Sequence, residues 1–225
     1  MPIGTDLFED IKSKINIDIK NIFDVGANIG QTALQFSEAF PNSHILSFEP
    51  ISSTFDILKN NTRKKINIDC YHFAFGDKIN EIDVKLFDES QSYLNSLKVK
   101  AMNQYDFAKT EKVKVDTIDE FLKINKQINK IELLKIDTEG YEIQVLKGAS
   151  YSIKTGKIKL IYLEAGFSKS NNRSTYYPEI HDYLDSNGYS FFGLYEISQK
   201  EIANKFQYGN ALFVHDSITS NVRQP

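Results

Sequence analysis

The sequence predicts an α/β fold with a mostly parallel central sheet and helices on both faces. Three observations point there. Short apolar runs such as "NIFDV", "HILSF", "KIELLKI" and "IKLIYLEAG" alternate with stretches of helical periodicity, at the spacing of consecutive βαβ units. The 225-residue length suits one domain with a modest N-terminal extension. Hydrophobic residues at 41% and charged residues at 25% are ordinary globular usage, enough to bury a sizeable core.

Taken in order, Asp6 to Ile15 reads as a short amphipathic helix with Leu7, Ile11 and Ile15 on one stripe. "NIFDV" is a buried strand, and after a glycine turn Ala33, Phe36 and Phe40 mark a helix that Pro41 closes. "HILSFEP" is the second strand, and "ISSTFDILKNN" the second helix with Phe55 and Leu58 facing inward. "INIDCYHFAFGDK" is a third strand ending in a Gly-Asp turn. "EIDVKLF" and "EKVKVD" then form a hairpin around a long polar loop. A connection of that length in a compact domain is usually a lid or a binding loop. Thr117 and Glu120 have capping-box spacing ahead of Phe121. "KIELLKID" is the next buried strand and "GYEIQVLKGAS" the next helix, with Tyr141, Val145 and Ala149 four apart. After "IKLIYLEAG", Pro178 opens a helix that Gly188 ends. "YSFFGLYE" and "NALFVH" close the sheet. The expected organisation is a helical extension at 1–20, one domain at 21–216 with a substrate loop at 88–110, and a tail at 217–225.

Net charge of −3 gives no basic field for nucleic acid or an anionic membrane. One cysteine, Cys70, rules out an intrachain disulfide and a cysteine-rich zinc site, and reads as a small apolar filler. No segment has the length and apolarity of a membrane span, and the acidic N-terminus lacks the apolar core of a signal peptide. The expectation is a soluble cytoplasmic protein that neither inserts into a membrane nor binds nucleic acid.

The segment "IFDVGANIG" carries the first chemical signal. A dinucleotide fingerprint needs glycines at relative positions one, three and six, and from Gly26 those positions hold Gly26, Asn28 and Gln31. The fingerprint fails. The pattern present is Asp24, Gly26, Asn28, Gly30, followed by Glu49 at the end of the second strand, where an acid can accept both hydroxyls of a ribose. That profile suits S-adenosylmethionine, which has no pyrophosphate and carries an ammonium that Asp24 could attract. The same residues also fit a tight turn whose glycines serve backbone geometry alone, with Asp24 capping the helix. Ile51 fits an adenine face or an ordinary first-turn core position.

"FDVGANIGQTA", "SFEP", "FAFGD", "VDTIDEF" and above all "LLKIDTEGYEIQVLKGA" resemble the FkbM-type methyltransferases, a branch of the class I S-adenosylmethionine-dependent enzymes, over roughly Asn21 to His215. The resemblance implies a Rossmann-like class I methyltransferase fold with an antiparallel final strand. It implies methyl transfer to oxygen, on a hydroxyl of a sugar or natural product. It also implies that Asp24, Gly26, Ala27, Asn28 and Gly30 line the methionine end of the cofactor, that Glu49 takes its ribose with Pro50 and Ile51 beside the adenosine, and that Asp137 belongs to the cofactor site as well. Ala74, Phe75 and Asp77 would lie near adenine, with Phe75 as an apolar wall and Asp77 bonded to the ring's amino group.

Methyl transfer to an alcohol is an in-line displacement that needs a base or a metal to remove a proton. Asp137 and Glu139 follow one inner strand and Glu164 ends the next; in the strand order that the resemblance implies those two strands are neighbours, so Asp137 and Glu164 are expected in one site. They read first as a base pair sharing a proton and second as ligands for Mg²⁺. Asp137 also fits a helix cap, and Glu139 and Glu142 a favourable first helical turn. His215, at the end of "NALFVH", is a further candidate base. Ser92, Tyr93, Ser96, Asn171, Arg173, Tyr176 and Tyr177 are candidate acceptor contacts. The alternative function is a domain that binds the cofactor but is catalytically silent; a nicotinamide-dependent oxidoreductase is disfavoured by the failed fingerprint.

Overall fold

The computed structural model describes residues 1–86, 109–169, 173–200 and 205–219. Seven strands form the main sheet in the order β3-β2-β1-β7-β8-β10-β9. The first five are β3 (Ile68–Tyr71), β2 (His44–Phe48), β1 (Asn21–Val25), β7 (Ile131–Ile136) and β8 (Ile158–Gly166), and they run parallel. The final strand β10 (Lys205–His215) inserts antiparallel between β8 and β9 (Tyr189–Lys200). This is the topology of a class I methyltransferase, with the strand order reversing beside β1, where ligands bind at strand carboxyl ends.

Both faces of the sheet are covered, and the period of two along each strand sorts the side chains. Phe23, Leu134, Ile161 and Phe213 enter one core with α4 (Ile118–Ile124), α5 (Glu142–Gly148) and α7 (Tyr177–Asp185). Ile22, Leu133, Leu160 and Leu212 enter the other, with α2 (Gln31–Ala39) and the N-terminal segment. The remaining helices are α1 (Leu7–Glu9), α3 (Ser52–Thr62), α6 (Ser150–Lys154) and α8 (Asp216–Thr219).

The amphipathic stripe at the N-terminus is present in altered form. After the single turn of α1 the chain winds as a π-helix over Asp10–Ile15, burying Ile11 and Ile15. The wider turn also brings Asp10 inside, where its Oδ2 accepts from the Gly4 amide at 2.9 Å and from the Tyr195 hydroxyl at 2.8 Å. Burial pushes the Asp10 carboxyl up, but Lys14, Gly4 and Tyr195 together leave it below its ordinary value.

The third strand is not continuous. It leaves the main sheet after Tyr71, and Ala74–Phe75 become β4, which pairs with β6 (Lys109–Asp116) in a three-stranded sheet completed by β5 (Asn80–Leu86). The aromatic residues drive the switch. Phe73 and Phe75 turn inward onto Phe48 and Phe121, with ring centroids 5.2 to 6.0 Å apart among Phe73, Phe75 and Phe121. The expected β5–β6 hairpin forms in antiparallel register, and the long loop between its strands lies outside the described residues.

Candidate functional site

The turn after β1 is built from left-handed backbone at Gly26 (φ 76°), Asn28 (φ 50°) and Gly30 (φ 94°). Its two glycines are required by neighbouring protein. A Cβ on Gly26 would lie 1.8 Å from the carbonyl oxygen of Asp137, and one on Gly30 would lie 2.9 Å from the Leu58 side chain on α3. The amides of Gly26 and Ala27 both donate to the Phe48 carbonyl at 3.0 Å, which ties the turn to the end of β2.

Glu49 completes that tie. Its Oε2 accepts from the Asn28 amide at 3.0 Å and its Oε1 from the Ile51 amide at 2.9 Å, so one buried carboxylate holds the loops after β1 and β2. Burial raises the Glu49 carboxyl to about 7 against the pull of those amides. A carboxylate offers about four acceptor positions, and two are used.

Asp24 sits differently from its expected role. It neither caps α2, whose N-cap is Gly30, nor reaches solvent. Its register partner on β7 is Lys135, whose Nζ lies 3.1 Å from Asp24 Oδ1, donates to the Gly26 carbonyl at 3.0 Å and stands 3.7 Å from Asp137 Oδ2. Lys135 therefore occupies the place beside Asp24 where a ligand's ammonium was expected. Burial alone would favour the neutral amine, but the carboxylates of Asp24, Asp137 and Glu49 outweigh it and hold Lys135 charged. Burial raises the Asp24 carboxyl against the pull of Lys135. Neither oxygen of Asp24 accepts a well-angled hydrogen bond, so the pair is held by charge. The available signal was a lysine inside the otherwise apolar run "IELLKI".

Asp137 and Glu164 are brought together as expected. Ile136 pairs with Leu163, which makes Asp137 and Glu164 the next residues of neighbouring strands, and the Asp137 amide is fixed by the Val25 carbonyl at 3.0 Å. Asp137 does not cap α5, whose N-cap is Tyr141. Burial, then the charge of Asp137, raises the Glu164 carboxyl to about 8, while a 2.7 Å bond from the Ser174 hydroxyl opposes the shift. Among the described residues, no group of three His, Cys, Asp or Glu side chains converges as a metal-ligand set.

Glu139, at φ 53°, receives a forked pair from Arg173 at 2.8 and 3.0 Å. Burial pushes it to about 7 in spite of Arg173, and the fork favours its ionised form. Arg173 is thus engaged with Glu139, although its expected partner was an acceptor hydroxyl. Glu142, assigned from sequence only a favourable charge at the helix start, is wholly buried and takes five hydrogen bonds. Oε1 accepts from the amides of Thr138 and Gly140 and the Thr138 hydroxyl, and Oε2 from the amide and hydroxyl of Thr175, at 2.7 to 3.1 Å.

Other candidates fall elsewhere. Because β10 is antiparallel, His215 ends beside the start of β8, five residues and about 16 Å of strand from the Glu164 level. It bonds Ser217 there at 2.8 Å and is no part of the acidic site. Phe75 is fully buried among Phe23, Phe48, Phe73 and Phe121, so its ring is core and not a cofactor wall. Ile51 and Ala74 are buried together against Val84, Val113 and Val115, beside Tyr141. Pro50 is half-buried between Glu49 and Ile51. Asp77 is exposed on an open groove with Thr117, Lys123 and Lys147, which neither Glu49 nor Ile51 lines. Tyr177 packs on Phe191 and Phe213, and Lys169 lies over the Tyr176 ring. Ser92, Tyr93, Ser96 and Asn171 lie outside the described residues.

Residues 24–191 match the methyltransferase FkbM domain. "Methyltransferase 1" of Beauveria bassiana (strain ARSEF 2860) is 27% identical over 143 residues, covering 56% of this chain and 57% of that protein. "Methyltransferase sdnD" of Sordaria araneosa is 26% identical over 153 residues, covering 56% and 59%. The chain thus aligns over somewhat more than half the length of these curated relatives. Among solved structures, the FkbM methyltransferase of Methylobacillus flagellatus KT superposes with TM-score 0.60 at 15% identity, over 94% of this chain and 48% of that one. M. capricolum TrmK, in complex with S-adenosyl-homocysteine, superposes with TM-score 0.51 at 11% identity, over 94% and 69%. These likenesses carry the fold, and the domain match carries the membership: the chain belongs to the FkbM methyltransferase family.

Proposed function

We propose that the chain is an S-adenosylmethionine-dependent O-methyltransferase acting on a hydroxyl of a small molecule or glycan. The observation that carries this reading is Glu49, which braces the turn after β1 and keeps two acceptor positions in reserve beside it. Two positions match the two hydroxyls of a ribose. The backbone of Gly26, Ala27, Asn28 and Gly30 would flank the methionine end, with Pro50, Ile51 and Ala74 toward the adenine end and Asp137 beside the centre.

When bound, S-adenosylmethionine supplies an electrophilic methyl group on a sulfonium. This chain would orient the acceptor and take its proton. Glu164 suits the second task, because a carboxyl raised to about 8 by burial and by Asp137 binds a proton near neutral pH. Asp137 would position the hydroxyl, and Lys135 keeps Asp137 and the Gly26 turn in a fixed relation.

Gly26 cannot serve as a test, since any side chain there collides with the Asp137 backbone whether or not a ligand binds. The test is calorimetric titration of S-adenosylhomocysteine into wild type, Glu49→Gln and Glu164→Gln, with turnover followed on a panel of hydroxylated acceptors. Binding that Glu49→Gln weakens and Glu164→Gln spares, with turnover lost in Glu164→Gln, supports the reading. Binding without turnover on any acceptor supports the catalytically silent alternative, and no binding removes both.

A further inference from the structure

The N-terminal segment closes over a cavity of about 370 Å³ that adjoins the acidic site. Thr5–Phe8 and one side of α2 form its roof, while Lys135, Asp137, Tyr162, Tyr195, Glu196 and Asn210 line its floor. Strand alternation puts Tyr162, Tyr195 and Asn210 on the same face as Lys135. Glu196 reaches that floor by breaking the alternation. It has φ 49°, and the β9–β10 register shifts between Tyr208 and Asn210, so consecutive residues Tyr195 and Glu196 both line one cavity. A bulge that costs backbone strain to re-aim one acid is the kind of feature that marks a site.

The polar groups on the floor are already arranged. Tyr162 donates its hydroxyl to Glu196 Oε2 at 3.1 Å, and the Asn210 side-chain Nδ2 donates to the same oxygen. Tyr195 points its hydroxyl away, to Asp10 beneath the roof at 2.8 Å, which fastens the roof to β9 and leaves the ring as a flat wall. Among the described residues, the charges lining the cavity are Asp6, Asp137, Glu196 and Lys135, and Lys135 is committed to Asp24 and Asp137.

We infer that this cavity is the acceptor site, and that it admits an uncharged or amino-bearing polyhydroxy compound while rejecting phosphorylated and carboxylated ones. Glu196 is its specificity-determining residue. The inference rests on the methyltransferase reading above, because it takes Asp137 as the boundary between acceptor and methyl donor. Size supports it, since 370 Å³ is near the lower end of the ~300–1,000 Å³ that small-molecule sites span. Charge decides the class. Among the described residues an anion would meet carboxylates and a lysine already committed to Asp24 and Asp137, whereas neutral hydroxyls find Glu196 Oε1 as an acceptor and aromatic rings as walls.

The experiment uses the full chain saturated with S-adenosylhomocysteine, whose own affinity is measured first. Saturation-transfer difference NMR is then recorded with methyl α-glucopyranoside, methyl α-rhamnopyranoside, methyl glucosaminide and glucose 6-phosphate. The expected result is transfer to the neutral or amino glycosides and none to the phosphate. Glu196→Gln should weaken glycoside binding about tenfold, the loss of a hydrogen bond to a charged group, and Tyr162→Phe, which removes the hydroxyl that orients Glu196 through Oε2, should weaken it less, with S-adenosylhomocysteine affinity unchanged as the sign that both variants fold. Absence of transfer to every glycoside, equal transfer to glucose 6-phosphate, or undiminished binding in both variants would overturn the acceptor assignment alone. Failure of S-adenosylhomocysteine to bind wild type would overturn the cofactor reading and this inference with it.

Discussion

Glu49 and Glu142 use one device at two ends of the site, and they differ in how full they are. Each is a buried acid that ties two loops together through main-chain amides: Glu49 joins the turns after β1 and β2, Glu142 the segments after β7 and β8. Glu49 receives two hydrogen bonds and Glu142 five, against the roughly four positions a carboxylate offers. A saturated acid can only hold its loops. An unsaturated one can hold them and still take a ligand, so occupancy separates brace from binding residue better than burial does.

The largest effect should come from emptying the brace. Glu142→Ala leaves the buried amides of Gly140 and Thr175 and the half-buried amide of Thr138 without their acceptor, and unmet buried donors cost about 1–3 kcal/mol each. With partial relaxation, urea unfolding should show a loss of roughly 3–5 kcal/mol. A loss under about 1 kcal/mol would mean the loops do not depend on Glu142. Next comes Glu49→Gln, which keeps one carbonyl acceptor but turns an NH2 toward the second of the two amides and removes the charge. Its stability should fall by about 1–3 kcal/mol, the cost of one unmet donor, while S-adenosylhomocysteine affinity falls roughly ten- to a hundredfold, the value of one or two charge-assisted hydrogen bonds. If the two variants behaved alike, the comparison would break.

The sheet was legible in the sequence because its strands are short apolar runs set apart by turn residues, and Thr117 announced α4 by its capping spacing, realised in a 3.1 Å bond to the Glu120 amide. The pairing of Asp137 with Glu164 was legible only through the family resemblance, whose fold puts β7 beside β8. Less visible was anything set by contacts distant in sequence. Nothing local tells that Lys135 will neutralise Asp24, 111 residues away, or that Glu142 will reach Thr175. Phe75 misled for the same reason, because a strand-end phenylalanine looks identical whether it faces a ligand or four other rings. His215 was misplaced by chain direction, which residue pattern does not encode for the last strand.

Acidity sharpens the comparison, with a smaller effect. The Glu49 carboxyl stands near 7 in the folded chain against an ordinary 4.5, so the folded state keeps its proton longer than the unfolded one. Its contribution to stability is therefore whole below pH 4.5 and lost as pH rises through 7. A ribose that uses Glu49 as a double acceptor needs the ionised form. S-adenosylhomocysteine affinity should then climb as pH rises from 5.5 toward about 7 by up to tenfold per unit, level off above it, and release a proton on binding at the lower end. Glu49→Gln should show a flat profile. Affinity that falls with rising pH in wild type would exclude ribose contact by an ionised Glu49.

The smallest effect tests saturation itself. Five donors compete for about four positions on Glu142, so removing one hydroxyl should leave every buried amide still served. Thr175→Val deletes the 2.7 Å hydroxyl bond, keeps the β-branched shape and retains the Thr175 amide bond to the same oxygen. The expected cost is at most about 1 kcal/mol in urea unfolding, with cofactor-product affinity unchanged. A far larger loss would show that the hydroxyl, not the amide, anchors this segment to α5. Glu142 would then resemble Glu49, with each of its bonds counting separately, and the distinction between the two acids would have to be drawn from position instead of occupancy.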